Sequence, residues 1–536
     1  MKSAGAVTVG SVRRIGVYGW GVVAPGARNV HALHALLRAG GTALALSGRA
    51  EFGHGLFAVG NPDFSFDEYG AWIAERHGDA YAARMRSKMG DNVQFAVGAM
   101  IQALECDGRL EALLRELDDA CHVYVGSGVG DLPESYRATA ALERATRAWN
   151  EFWAHPSRCA SRRRFERERV APAGAPPPPD PSSLPIDSVV RFDAVAARDA
   201  YWASCSEELT NFLRDIATVE RLDADEDGDG KAHLGGIRKR LRAYRALVQS
   251  VGCPEPPWTA VDPRLIWNVQ NAAAAQITML LGVHGAAWAP VGACATFGVA
   301  LKCGRDAILR GEAKVAVVGT TDPRPDPALT GAFHQARVMP AGGEVNLPFT
   351  SLRGTHLSGG SCVWIIGDAA WCRERGLRPI GGYVEAVALS SDAEHIITPS
   401  KSGPKRALAR AFEEAQISAS DVALIDLHAT GTPGDMNELA LVDKFITDRT
   451  QITARKGQLG HGMANAGGWE LTALALGLSE GTALSTGIAA ERVHPRLRAG
   501  HRIVGVGAAL DSGVGVKLML GLGGITACVV LRRAEP

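Results

Sequence analysis

The sequence predicts an α/β protein built on a largely parallel sheet and interrupted by a long insertion. Three observations carry that expectation. Short apolar runs alternate with segments of helical apolar spacing; the alternation stops between about residues 140 and 260; and after it resumes, strands lead directly into loops of reactive-looking residues. With 536 residues, the chain also exceeds one ordinary core and divides into at least two packed units.

Taken in order, RRIGVYGWGVVAPG, from residue 13, reads as a short buried strand ending in a Gly/Pro loop. DNVQFAVGAMIQALE (91 to 105) has the apolar spacing of a helix, and the strand CHVYVGSGVG (121 to 130) follows. The next region holds an Arg-rich stretch (SRCASRRRFERER), a proline run (APAGAPPPPDPSSLP), an aromatic helical patch (RDAYWASCSEELTNFLRDI) and an acidic segment (DADEDGDG). It reads as an inserted subdomain, mainly helical and irregular, with a flexible or polyproline-like linker. From about 265, WNVQNAAAAQITMLLG predicts a helix, and the residues from VHGAAW to VVGTTDP read strand, turn, helix, strand. A second half opens with PIGGYVEAVALSS, whose helix KRALARAFEEAQI leads into the strand DVALIDL and the loop HATGTPGD. The predicted division is 1–370, interrupted at about 140–260, followed by 371–536. It resembles a duplicated α/β unit, although the letters themselves show no repeat.

Composition excludes several classes. Lys plus Arg equals Asp plus Glu at 57 each, so bulk charge points to neither a nucleic-acid surface nor a disordered tail. The N-terminus lacks the uninterrupted apolar core of a signal peptide, and the apolar C-terminal region is broken by Asp511, Lys517 and many glycines, which argues against a membrane span. The ten cysteines show no zinc-like spacing, and reduced thiols and a cytoplasmic location are expected. Asp223, Asp225, Asp227 and Gly228 imitate the start of a calcium loop, but the twelfth position is Leu234 rather than a bidentate Glu, so a solvated acidic loop is expected and no metal site.

Cys294, in VGACATFGVA, precedes a helical pattern with apolar positions at Val299, Cys303 and Ile308 and a stop at Gly311. A helix N-terminus favours thiolate over thiol, which would make Cys294 a nucleophile; buried filler is the competing reading, since free cysteine is among the most buried residue types. Two histidine loops bear on the choice. DLHATGTP puts His428 directly after an apolar strand and follows it with Thr430 and Thr432, hydroxyls suited to a polar ligand arm. KGQLGHGMANAGGWE holds Lys456, His461 and Glu470 in a Gly-rich turn before a helix.

With these residues the chain resembles the condensing enzymes, and within them the elongating β-ketoacyl-acyl-carrier-protein synthases, as a divergent member with a long insertion. GACATFGVA is similar to their nucleophile motif, HATGTPGD to HGTGTPLGD, KGQLGH to KSxxGH, and GLGG (521 to 524) stands where they have GFGG. The resemblance implies a thiolase-like, five-layered αβαβα fold from two pseudo-duplicated halves. It implies a triad of Cys294, His428 and His461, with Lys456 paired to Glu470. An oxyanion hole would come from the backbone N–H groups of Cys294 and Leu522, and Thr430 and Thr432 would hold a phosphopantetheine arm. The acyl pocket would include Phe333, Leu520 and Leu522, the two leucines replacing aromatic residues of the family. The implied reaction is decarboxylative condensation of a Cys-bound acyl group with a malonyl-type unit on an acyl carrier protein, in a specialised fatty-acid-like or polyketide pathway. No resident cofactor is expected, and a homodimer is, with a heterodimer open. The alternatives are a non-elongating acyltransferase and a non-catalytic ketosynthase-like partner. Two further departures, PFTSLRGTHLSGGSCV (348 to 363) and Asn465 in GHGMANAG, alter the packing around the triad. The Arg-rich stretch from Arg158 to Arg169 reads either as an attractor for an acidic carrier or as a solvated helix face interleaved with Glu166 and Glu168.

Overall fold

The computed structural model describes residues 13–535 except 173, 175, 187, 223–229, 397–399, 401 and 498–501, and describes residues 183 and 230–234 by their backbone alone. The acidic segment with Asp223, Asp225, Asp227 and Gly228 lies outside the described residues. The chain forms two compact units, one running to Pro133 and again from Ile266 onward, the other Glu134–Leu265.

The first unit is built on eleven strands: β1 (Ile15–Val23), β2 (Cys121–Gly126), β3 (Ala287–Trp288), β4 (Val315–Asp322), β5 (Gly360–Asp368), β6 (Tyr383–Ser391), β7 (Val422–Asp426), β8 (Gln451–Thr453), β9 (Arg502–Ile503), β10 (Val514–Gly521) and β11 (Ile525–Arg532). Their order is β9-β8-β7-β10-β11-β6-β1-β5-β4-β2-β3. The first half, β1 to β5, and the second, β6 to β11, repeat one pattern. In each, the first strand lies antiparallel to the last, the last antiparallel to the one before it, and that strand parallel to the second, which is parallel to the third. The halves meet where β1 pairs with β6 at Gly16 and Tyr383.

The sheet is therefore mixed, where the alternation of strands and helices predicts a largely parallel one. The cause in the second half is local: Leu522, Gly523 and Gly524 form a tight turn between β10 and β11, with both glycines at positive φ, and so short a connection returns the chain antiparallel.

Helices fix the layers. Against the sheet, α1 (Asp91–Glu105) packs on β1, β4 and β5, and α3 (Ser402–Ala415) on β6, β10 and β11. Between them α2 (Thr296–Arg310) and α4 (Ala466–Glu480) touch each other and strands of both halves. This gives the αβαβα sandwich. Its middle layer buries Phe297, Trp364 and Trp469, with Phe297 edge-on to Trp364 at 5.4 Å between ring centroids. Both indoles are satisfied as burial requires, Trp364 Nε1 donating to Thr472 Oγ1 at 2.9 Å and Trp469 Nε1 to Ser361 O at 3.0 Å. Truncating either ring should cost ~3–5 kcal/mol.

The second unit is helical, with helices Ala160–Glu168, Val189–Ser204, Glu207–Glu220 and Gly230–Val251 following a longer one that ends at Ala154. Trp149, Trp153, Leu209, Phe212 and Val248 make its core, so the insertion carries apolar packing of its own. Its Arg-rich stretch is largely neutralised internally: Arg158 pairs with Glu208 at 3.2 Å, Arg162 with Glu166 at 3.0 Å and Asp199 at 3.4 Å, and Arg164 with Glu168 at 3.0 Å. Paired cations of this kind are the solvated-face arrangement and leave a weak field for steering. Among the described residues, no helix is long and apolar enough to cross a membrane.

Candidate active site

Cys294 occupies a single 3-10 turn, Ala293–Ala295, that runs straight into α2. Ala293 has φ +48°, a left-handed conformation that L side chains seldom adopt, and it turns the chain sharply before the helix. Thr296 closes the turn, its hydroxyl donating to Ala293 O at 2.6 Å and accepting from Gly292 N at 2.9 Å. The β10–β11 turn packs directly on this segment, since a Cβ at Gly521 would lie 2.6 Å from Gly292 O. As a result the N–H groups of Leu522 and of Cys294 itself, the two donors expected of an oxyanion hole, both favour the anionic form of the sulfur.

The thiol does not have the lowered pKa that its helix-terminal place predicts. Cys294 is 4% exposed, and burial pushes its pKa up to about 11, against the opposing pull of Lys456 and the Leu522 N–H. Desolvation of a thiolate outweighs one helix terminus, because the terminus supplies partial charges while burial removes the whole hydration of the anion. At neutral pH the group is a thiol.

The turn also packs against a second one, Met463–Asn465, just after His461. His461 and His428 stand edge to face with centroids 5.4 Å apart. Met463 N donates to His461 Nδ1 at 3.1 Å, so the neutral ring carries its proton on Nε2. Burial holds both imidazoles well below the usual histidine range, helped by the positive charges of Lys456 and Lys517. Both rings are therefore neutral.

Lys456, Glu470, Thr430 and Thr432 fall around this pair. Lys456 Nζ reaches Glu470 Oε1 at 2.8 Å and His428 O at 2.5 Å. Thr430 and Thr432 share a hydroxyl contact of 3.0 Å on the loop beyond His428. The pocket residues are more dispersed. Phe333 packs beside Met463, Leu357 and Met339, whereas Leu520 packs on the outer core of the second half, and Leu522 is 42% exposed. The structure does not bring Phe333 and Leu520 into one cluster. The altered residues near the triad are integrated into it: Asn465 Nδ2 donates to Gly360 O at 2.9 Å, and the buried ring of His356 accepts from Asn346 N at 2.8 Å while His356 O accepts from His461 N at 2.6 Å.

Sequence reasoning missed a shell of buried charge. Asp426 and Lys517 pair at 2.8 Å, Lys517 also meets Glu470 Oε2 at 2.7 Å, and Arg455 lies 3.7 Å from Asp426. Burial opposes the Lys517 charge, but Asp426 and Glu470 outweigh it and raise its pKa. Glu438 accepts from the N–H groups of His428 and Ala429, and Asp435 from those of Phe349, Thr430 and Gly431. Asp322 ties the loop after β2 to the His461 turn, accepting from Ser127 Oγ, Gly128 N, Val129 N and Ala464 N at 2.7–3.1 Å. One signal was available: Lys517 is a lone cation in an apolar run, VGVKLMLG, that reads as a strand.

Comparison with known proteins agrees with this architecture. The model of the β-ketoacyl synthase N-terminal domain matches residues 253–365, and that of the C-terminal domain residues 382–487. Nodulation protein E of Rhizobium meliloti (strain 1021) is 28% identical over 304 residues, covering 55% of this chain and 70% of the relative. The chloroplastic 3-oxoacyl-[acyl-carrier-protein] synthase I of Arabidopsis thaliana is 27% identical over 225 residues, 40% of this chain and 47% of that protein. Among solved structures, a β-ketoacyl synthase from Burkholderia phymatum STM815 superposes with a TM-score of 0.66 at 17% identity, and the ishigamide ketosynthase/chain length factor with 0.65 at 18%, each over 98% of this chain and 100% of the other. At those identities the structures speak for the fold, and a third similar one is a type II PKS acyl-carrier protein in complex with its ketosynthase. The repeated sheet, the layered helices and the two matching domain models make the chain similar to the β-ketoacyl synthases, over residues 253–365 and 382–487 in sequence and over the αβαβα unit in fold.

Proposed function

We propose that the chain condenses a Cys294-bound acyl group with a malonyl-type unit on an acyl carrier protein, releasing carbon dioxide and a 3-oxoacyl thioester. The observation that carries this reading is the pairing of a buried thiol, faced by two backbone N–H donors, with two neutral histidines across the adjoining turn. In the first step the sulfur attacks an acyl thioester, the arm's thiol leaves, and the Leu522 and Cys294 N–H groups hold the tetrahedral oxyanion. Because Cys294 is a thiol at rest, it needs a base, and a neutral imidazole is the form that accepts a proton. In the second step the malonyl carboxylate leaves as carbon dioxide, its bonding electrons forming an enolate. His428 and His461, the latter with its proton on Nε2, hydrogen-bond that oxygen; the enolate carbon attacks the acyl carbonyl, and Cys294 departs as a thiolate that takes a proton from the solvent.

The reading calls for no resident cofactor, because the substrates arrive on the phosphopantetheine of the carrier. It includes a specialised pathway and a second copy of the chain or a related partner. The edge strand β3 supports the latter, since among the described residues it pairs on one side only and it carries the exposed Trp288. The test is intact-mass detection of acyl-Cys294, with Cys294→Ala as control, combined with carbon dioxide release from a malonyl carrier. Acylation with release supports condensation; acylation without release leaves a non-elongating acyltransferase, and no acylation leaves a non-catalytic partner.

A further inference from the structure

We propose that Lys517 is a positioning residue for His428, anchoring the strand-to-loop junction that carries this imidazole. The inference rests on the decarboxylative reading above. Lys517 interrupts the apolar run of β10 and its side chain is fully buried, a placement that is tolerated only when the ammonium is fully partnered. The ammonium donates to Asp426 Oδ1 at 2.8 Å and to Leu427 O at 3.1 Å, and it pairs as an ion with Glu470 Oε2 at 2.7 Å.

The arrangement is a clamp. Glu470 holds one ammonium on each oxygen, Lys456 on Oε1 and Lys517 on Oε2, and the two ammonium groups grip successive carbonyls, His428 O and Leu427 O. On the amide side, Glu438 accepts from His428 N at 2.6 Å and from Ala429 N at 2.8 Å. The backbone of His428 is thus fixed through both its polar groups, where β7 gives way to the loop. Lys456 alone would hold only one of the two carbonyls. Lys517 also stands on the strand that ends at Gly521, immediately before Leu522, so one side chain ties the His428 junction to the strand supplying the N–H that faces Cys294.

Two full-length variants test this against a purely structural role. Lys517→Met removes the ammonium. Lys517→Met combined with Asp426→Asn also removes the carboxylate it neutralises, which preserves the net charge of the buried cluster and keeps a folded protein available. In each, acylation of Cys294 by an acyl carrier is timed by intact mass, and carbon dioxide release from a malonyl carrier is timed with pre-acylated enzyme. The expected result for the double variant is acylation within about twofold of wild type with carbon dioxide release reduced about tenfold or more, the scale of a misplaced catalytic group. The His428 imidazole NMR resonances should shift while those of His356 stay in place. Release within twofold of wild type, an unmoved His428 resonance, or equal losses in both steps would overturn the inference. Wild-type protein that acylates yet releases no carbon dioxide would instead defeat the decarboxylative reading, and the NMR shift would still decide the placement of His428.

Discussion

The two halves of the sheet share a topology and divide the chemistry. In the first half, the carboxylate at the end of β4, Asp322, is held by one hydroxyl and three backbone N–H groups, and burial pushes its pKa up to about 6. In the second half, the carboxylate at the end of β7, Asp426, is held by Lys517, Arg455 and Thr453. The first half supplies the thiol and neutral dipoles; the second supplies both histidines and a buried ionic cluster. The sheet brings strand ends of both halves to one site, and the residues placed at those ends decide what each can do.

The largest expected effect isolates the thiol. Cys294→Ala should abolish covalent acylation altogether while changing Tm little, because it removes only one small buried side chain; intact mass and a thermal melt read the two quantities. The next breaks the ionic half. Lys517→Met leaves Asp426 and Glu470 short of a cation and should cost ~3–5 kcal/mol in denaturant unfolding, whereas Asp322→Asn, on the dipolar side, should cost only ~1–3 kcal/mol. Equal losses would erase the distinction between the halves.

Acid should weaken the molecule through its neutral histidines. Burial pushes the ring of His356 down to about 4, and His428 and His461 shift in the same direction. An unfolded chain takes up these protons near pH 6.5 while the folded one refuses them, so the stabilisation is complete above that pH and is lost as pH falls toward 4. For His356 the loss is on the order of 3 kcal/mol. Urea midpoints at pH 7 and pH 5 should therefore differ, and His356→Gln should flatten the slope. On the thiol side, iodoacetamide labelling of Cys294 should rise with pH throughout the range below about 11, since a group with that pKa is mostly protonated at neutrality. The smallest effect belongs to the loop hydroxyls: Thr430→Val and Thr432→Val should raise KM for a carrier-bound substrate several-fold with kcat nearly unchanged, as expected when uniform binding is lost.

Local chemistry made much of this protein legible. The apolar spacing of residues 91–105 matches α1 residue for residue, Gly311 caps α2 in a left-handed conformation, and Cys294, His428, Lys456, His461 and Glu470 are found around one site. Such features depend on neighbours in the chain or on motifs that keep their spacing. The sequence by itself determined the α/β elements, the insertion and which side chains are candidates for the chemistry. Tertiary structure decided the rest. It built a repeated sheet from halves that share no visible repeat, because strand order depends on which faces pack together rather than on matching letters. It set the resting state of Cys294, because burial overrode the helix terminus. It also gave Lys517 a place beside Glu470 and Leu427 O, because that contact joins residues 47 and 90 positions away and no local pattern records it.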